Sequence, residues 1–411
     1  MVDNLSDGDL RIEQLTVSSS RGTLDLKESF LTASIYESIF TPGTVCDITV
    51  IDATDYLGSL SLSGDETVNM IINTASGGRG VFRFALYEMG DLKIIGAQKG
   101  KQYTLKCVSE ESLYAKTNYV QKAYNDLCSN IVKDIHKSYL QSSKEIQIEP
   151  TKGSQNILIP HKSPYQAISM IRKRAVSAEN ISSSYVFFEC RDNGKQVYKF
   201  YSIEKLFKQE SIREYKQSDG INANILEQSD DNILSYKIPN QFSSIDKIDL
   251  GGPRKITTFN FTTQQFESNI IEIKDTDFTA GGSNKSNTSR AFENKYFKSR
   301  NPKQAFIPVD ISSRAITHIP ESTPNSQAFI ALMLQNSMKI RVIGDIELTA
   351  GKMINCTIPN KTALTGNVDE DKFMTGDFLI SRIHHKIATL AERPRYTCVV
   401  ECLKGKFENG I

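Results

Sequence analysis

Five histidines, seven cysteines and 48 acidic residues are the side chains from which this 411-residue chain could build a reactive site. His384 and His385 are adjacent in a strand-like stretch, so they face opposite sides and cannot share one metal ion. His136 falls in a charged helix turn, while His161 and His318 fall in loops ahead of Pro164 and Pro320. The cysteines (Cys46, Cys107, Cys128, Cys190, Cys356, Cys398 and Cys402) are odd in number and scattered, with no C-x-x-C pair. Cys398 and Cys402 share a strand face but lie about 13 Å apart, beyond disulfide reach. Most sit at apolar strand positions, as small buried hydrophobes do. Glu110-Glu111 and Asp230-Asp231 are neighbours that point apart in extended chain, and Asp369-Glu370-Asp371 reads as a solvated loop rather than a cation site. Ser76-Gly77-Gly78-Arg79-Gly80 is rich in glycine but lacks the Gly-Lys-Ser/Thr ending and following helix of a phosphate cradle, so it reads as a hairpin loop. No zinc spacing, nucleophile elbow or dinucleotide fingerprint occurs. The sequence therefore names no catalytic, cofactor-binding or metal-ligating residue, and the expectation is a protein that is not an enzyme and needs no cofactor.

The elements around these residues suggest several domains, because 411 residues exceed one hydrophobic core. A net charge of +1 argues against broad, sequence-independent nucleic-acid binding, which needs a basic face. No apolar run is long enough to span a membrane, and the first 20 residues lack a signal peptide's basic start and apolar core, so a cytoplasmic site of synthesis is expected. The fold class expected is α+β, mainly β. Residues 1–113 read as β throughout, with strands near Leu10 to Val17, Leu24 to Ser34, Val45 to Ile51, Thr67 to Asn73, Val81 to Tyr87, Leu92 to Ile95 and Tyr103 to Val108. Residues 114–220 read as an α/β domain. Ala123, Leu127, Ile131 and Ile135 recur every four residues and predict one helix from Lys122 to Tyr139. Ser163-Pro164 caps another helix, with Ile168, Ile171 and Ala175 on its apolar side. Asp192-Asn193-Gly194 then turns an aromatic hairpin. Residues 221–250 and 320–411 read as a second β domain, entered by a helix capped at Thr323-Pro324 that carries Phe329, Leu332 and Met333. Between its two parts lies an insertion, 251–319. It has one strand, Lys255 to Thr263, with Phe259 and Phe261 on one face, then polar sequence; Ala280 to Ser289 is too rich in Gly, Ser and Asn to order itself.

One layout occurs twice. Late in the chain, Ala350-Gly351 opens a strand from Lys352 to Ile358, and Gly376-Asp377 opens a second that runs to about Ile383. A charged loop then turns at Arg393-Pro394, and Tyr396-Thr397 begins a strand ending near Leu403. Earlier, Gly64 precedes the strand from Thr67, Gly90-Asp91 opens the strand Leu92 to Ile95, and Tyr103-Thr104 begins the strand to Val108. The Gly to Gly-Asp spacings are 90 − 64 = 26 and 376 − 351 = 25. Antiparallel meanders share such punctuation in general, but the matching order points to a duplicated β module.

This order of elements, with the aromatic hairpin (Tyr185-Val-Phe-Phe-Glu, then Val197-Tyr-Lys-Phe-Tyr) and the stretch Ile343 to Gly351 followed by Lys352 to Ile358, resembles the baseplate central hub protein of T-even-like contractile-tailed bacteriophages. Late control protein D and VgrG hub domains are related to it. The resemblance implies two tail-tube-like antiparallel β-barrels, an α/β domain between them and an inserted domain. It further implies a homotrimer: a pseudo-sixfold ring that adapts the sixfold tail tube to the threefold central spike and leaves a channel through which DNA passes without sequence-specific binding. The implied partners are the spike protein, a tail-tube or tube-initiator protein and baseplate wedge proteins. The implied location is the virion baseplate, assembled in the host cytoplasm without membrane insertion. With Ile411 soon after the second barrel, the spike is expected to be a separate polypeptide. A glycan-binding β-barrel surface protein is the alternative; the missing signal and the lack of tryptophan weigh against it.

Overall fold

The computed structural model describes residues 10–53, 62–74, 77–95, 100–179, 183–217, 231–239, 254–260, 263–271, 303–309, 326, 337–360, 369–370, 374–390 and 393–404. The chain opens with β1 (Leu10–Ser19), β2 (Gly22–Asp25), β3 (Phe30–Ser38), β4 (Val45–Asp52), β5 (Thr67–Thr74), β6 (Arg79–Ile95) and β7 (Gly100–Val108). Alternation sets their inner face: Val68, Met70 and Ile72 of β5 and Tyr103, Leu105 and Cys107 of β7 are all buried. Two expectations fail here. The strand expected from Leu24 to Ser34 is divided between β2 and β3. The two strands expected around Gly90-Asp91 are one, β6, whose pairing with β7 shifts register between Leu86 and Glu88 and between Gly90 and Lys93. Asp91 has φ 55°, so the left-handed residue absorbs an unpaired position inside the strand, a bulge where the sequence suggested a turn.

The middle of the chain holds α1 (Glu110–Thr117), β8 (Val120–Leu127), α2 (Cys128–Ser138), β9 (Ile146–Ile148), β10 (Ser154–Lys162), α3 (Pro164–Arg172), β11 (Tyr185–Asp192), β12 (Lys195–Ser202), α4 (Ile203–Leu206) and β13 (Ser211–Lys216). β structure thus ends at Val108 rather than at 113. The single helix expected from Lys122 is a strand followed by a helix. β8 pairs with β10, Ala123 opposite Leu158, and the helix begins at Cys128, where Cys128, Ile131, Val132, Ile135 and His136 form its buried face. A four-residue spacing also fits alternate strand positions, and pairing with β10 decided between the two. α3 starts as expected, with a reciprocal capping box between Ser163 and Gln166. The β11–β12 turn has Asn193 at φ 50° and Gly194 at φ 75°, as a type I′ turn requires.

Then come β14 (Ile233–Lys237), β15 (Arg254–Asn260), β16 (Gln265–Ile271), β17 (Lys303–Val309), β18 (Ser337–Ile343), β19 (Met353–Thr357), β20 (Pro359–Asn360), β21 (Asp369–Glu370), β22 (Gly376–Leu390) and β23 (Arg393–Leu403). β16-β15-β17 form a separate three-stranded sheet, so the stretch after β15 is strand as well as polar. Phe261, the tract 280–289, Lys295 and His318 lie outside the described residues; of the helix expected after Pro324 only Ser326 is described, as helical, and Phe329, Leu332 and Met333 lie outside. Asp369-Glu370 makes a short ladder with Pro359-Asn360 instead of a free loop. The charged stretch after Ile383 continues β22 to Leu390, held by β23 along one side and β3 along part of the other.

The large sheet has 13 strands in the order β14-β18-β23-β22-β3-β4-β7-β6-β5-β1-β2, with β19 on β22 and β13 on β19. Within it β3-β4-β7-β6-β5 recurs as β14-β18-β23-β22-β19, every pair antiparallel. The halves differ beyond this: β1 runs antiparallel to β5, whereas β13 runs parallel to β19. The sheet is mainly antiparallel and does not close into two separate barrels. Its halves join edge to edge through β3 and β22 and share one apolar core, from Leu10 through Cys402. A second core lies among α2, α3 and the aromatic hairpin, and a third, with Ile39, Phe188, Ala350, Leu379 and Leu403, lies where that hairpin meets both halves. Among the described residues no helix is long and apolar enough to cross a membrane.

Candidate assembly junction

Where the two halves and the hairpin meet, the chain buries charge. Glu37 on β3 points inward beside Ser38, breaking the apolar alternation of that strand. Its Oε1 accepts from Arg191 Nε at 3.0 Å, and its Oε2 accepts from Thr349 Oγ1 at 2.5 Å and from the Ala350 amide at 3.2 Å. Arg191, at the end of β11, also donates from Nη2 to the Leu348 carbonyl and to His385 Nε2, each at 2.9 Å. Its guanidinium lies 4.8 Å from the centre of the Phe82 ring on β6. One side chain thus touches β3, β22, β6 and the turn before β19. Arg191 and Glu37 expose only 4% and 1% of their side chains, so each supplies the counter-charge the other requires.

His385 continues the network. Because Arg191 has no acceptor, His385 Nε2 accepts and Nδ1 carries the proton, which faces Tyr396 Oη at 2.6 Å. Tyr396 Oη donates to the Asp345 carbonyl at 3.2 Å. Burial, then Arg191 and His384, hold the His385 pKa well below that of a free imidazole. Cys398 Sγ lies 3.3 Å from His385 Nδ1, an approach the sequence did not indicate because 13 residues separate them. The pair has the elements of a thiol nucleophile and the opposite electrostatics. Burial pushes the thiol up to about 12, and both side chains are fully enclosed, whereas a reactive thiolate needs a depressed pKa and access.

A second node fixes the hairpin to the first half. Glu189 on β11 accepts from the Thr44 amide at 3.0 Å, from Ser109 Oγ, and from Lys144 Nζ at 2.6 Å. Lys144 also donates to Glu111 at 2.7 Å. Burial works to raise the Glu111 carboxyl, but the charge and hydrogen bond of Lys144 keep it below the usual carboxylate range. Of the neighbouring pair Glu110-Glu111, Glu111 is buried while Glu110 is half exposed.

The remaining titratable residues stay scattered. His384 faces away from His385, as alternation requires, and stacks on Tyr36 of β3 at 4.1 Å. His136 is buried edge-on to Tyr198, not set in a charged turn, and burial lowers its pKa to about 4. His161 stacks on Tyr119 at 4.4 Å. All seven cysteines are buried free thiols, which matches their reading as small hydrophobes. Among the described residues no three His, Cys, Asp or Glu converge as a metal site. The glycine-dense loop joins β5 to β6, and its glycines admit a neighbour: a Cβ on Gly78 or Gly80 would sit 2.5 or 2.6 Å from the Ile346 side chain of the second half.

The fold as a whole is similar to those of solved tail proteins. The tail protein from Neisseria meningitidis MC58 superposes with a TM-score of 0.55 at 10% identity, over 95% of this chain and 96% of its own. The 43 kDa tail protein of prophage MuSo2 from Shewanella oneidensis superposes with a TM-score of 0.51 at 9% identity, over 95% and 97%. No protein-family model and no curated protein matches the sequence. At such identities the likeness is one of fold, end to end along the chain.

Proposed function

We propose that the chain is a structural subunit of a contractile tail: a baseplate hub that closes as a homotrimer into a ring of six alike β modules. One observation carries this reading. The strand order β3-β4-β7-β6-β5 recurs as β14-β18-β23-β22-β19, and the two modules already stand side by side, sharing an edge through β3 and β22. Three chains supply six near-equivalent modules to a sixfold tube, while everything present once per chain, from α1 to α4 and the β15–β17 sheet, remains threefold and suits a threefold spike. In the second module Lys216, at the end of β13, bridges Asn232 just before β14, which bends that sheet back toward its own start and supports a barrel-like module. Tube and spike proteins are the expected partners, wedge proteins contact the periphery, and DNA passes through the ring's channel. A net charge of +1 suits a wall without a dense basic stripe. The buried networks at the junction hold the modules in fixed orientation, and the protein acts by geometry rather than catalysis. The fold shared with tail proteins over their full length supports this reading.

Light scattering coupled to gel filtration tests the reading: the chain should elute at about 138 kDa, three times its 46.0 kDa. A monomer at every concentration would overturn it.

A further inference from the structure

Two of the strand edges of the large sheet that have no described partner are related by the repeat, which says what belongs on them. β6 pairs with β5 only through Ala85, and Leu86 makes one further bond, to the Glu66 carbonyl. Beyond it, no described residue pairs with that edge as far as Ile95. Tyr87, Met89, Leu92, Ile94 and Ile95 of this half-strand are exposed, Ile94 by 75%. A long apolar edge of this kind recruits another strand unless something covers it. At the other end of the sheet, β14 pairs with β18 on one side, and no described residue pairs with its outer edge from Ile233 to Lys237.

In the second module the edge equivalent to that of β6 is filled. Beyond its pairing with β19, β22 takes β3 of the first module along Arg382 to Ala388. Because β14 is the counterpart of β3 and β6 the counterpart of β22, we infer that β14 of one copy adds antiparallel to the distal half of β6 in the next copy, reproducing the β3–β22 junction between subunits. Each chain then contributes the eight strands β14-β18-β23-β22-β3-β4-β7-β6 to one continuous sheet around the ring. The inference rests on the ring reading above and names the surfaces that close it.

Register follows from the ladders. Aligning Tyr103-Thr104 with Tyr396-Thr397, Glu88, Met89 and Gly90 take the places of His384, His385 and Lys386. Through β4 and β18, Ser235, Tyr236 and Lys237 take the places of Ser34, Ile35 and Tyr36. The observed pairs Tyr36–His384, Ile35–His385 and Ser34–Lys386 therefore become Lys237–Glu88, Tyr236–Met89 and Ser235–Gly90. These are an opposite charge pair, an apolar pair and a small pair, on residues that are exposed or half exposed in the single chain. Tyr236 stands on the core face opposite Ile340 and is 40% exposed, whereas its counterpart Ile35 is fully buried under the neighbouring module.

The test joins the edges covalently in the full-length chain. Residues directly opposite across an antiparallel pair come within disulfide distance, and the native thiols are buried. The double variant Tyr236→Cys with Met89→Cys, oxidised and run on a non-reducing denaturing gel, should give linked species of two and then three copies, with each single variant remaining unlinked. Tyr236→Cys with Ile94→Cys, which the register places apart, should not link. A protein that is trimeric by light scattering but stays unlinked, or that links through the Ile94 variant instead, overturns this edge pairing while leaving the ring intact. A protein that stays monomeric overturns both.

Discussion

At the scale of single residues, the junction depends on charges that are compensated only by one another. Removing one partner of a buried ion pair leaves the other uncompensated, so Arg191→Ala should cost about 3–5 kcal/mol in urea unfolding. Replacing both Arg191 and Glu37 with apolar side chains of similar size should recover much of it, and a single-variant loss under about 1 kcal/mol would show the pair to be marginal. Two buried histidines, His385 in the junction and His136 in the second core, give the fold a pH dependence of definite sign. His136 and His385 are neutral when folded, with pKa values depressed by burial, and take up a proton near 6.5 when unfolded. The stability they allow is therefore complete above pH 6.5 and is lost as pH falls toward the folded pKa, about 4 for His136. At pH 5, 1.5 units below the unfolded pKa, His136 alone should cost roughly 2 kcal/mol, and His385 acts in the same direction. Melting temperature should accordingly fall between pH 7 and pH 5, with a shallower slope for His136→Gln; a flat profile would contradict the assignment.

At the scale of elements, glycines mark close approaches, Gly80 between the two halves and Gly344 within the second. A Cβ on Gly344 would stand 2.0 Å from the Tyr396 ring, and one on Gly80 would stand 2.6 Å from Ile346. Tyr396 is pinned by His385 and by the Asp345 carbonyl, whereas the end of Ile346 is an aliphatic chain free of hydrogen bonds. Gly80→Ala should therefore cost about 1–3 kcal/mol and be partly relieved by Ile346→Val, while Gly344→Ala should cost more and gain nothing from that change. Thermal melts of the four variants decide the order, and equal losses at both sites would refute the argument. The cysteine positions report on the same packing. With burial pushing Cys190, Cys356 and Cys398 to about 12, they should resist alkylation in the native state and react on unfolding.

For the whole molecule, the β3–β22 ladder makes two modules one sheet, so neither has a complete surface alone. A chain ended at Lys216 would uncover the Thr32 to Ser38 edge of β3 together with Ile39 and Phe188, which pack against the second half. It should self-associate in light scattering at concentrations where the full chain has a fixed mass. A well-behaved monomer of that fragment would mean that the junction is dispensable to the first half.

Much of this fold was legible without coordinates, because strand alternation, capping and turn chemistry are local. Tyr103, Leu105 and Cys107 matched Tyr396, Cys398 and Val400, Ser163-Pro164 capped its helix, and Asn193-Gly194 turned its hairpin. Tyr-Thr marked the same strand in both modules, β7 and β23, but Gly90-Asp91 is not the counterpart of Gly376-Asp377: with Tyr103 aligned on Tyr396, Gly90 takes the place of Lys386 inside its strand, whereas Gly376 opens β22. Gly90-Asp91 and the stretch from Lys122 to Leu127 were misjudged for a common reason. A bulge and a turn use the same residues, and a four-residue spacing fits a helix or a strand, so only the partner strand, β7 in one case and β10 in the other, decided between them. The assembly junction could not be read from the sequence at all. Glu37, Arg191, Thr349 and His385 are separated by as many as 348 positions (385 − 37), and each looks like a surface residue of its own segment. Their burial follows from the joining of β3 to β22, and that pairing of edges is set by how the two halves close on each other rather than by any stretch of either.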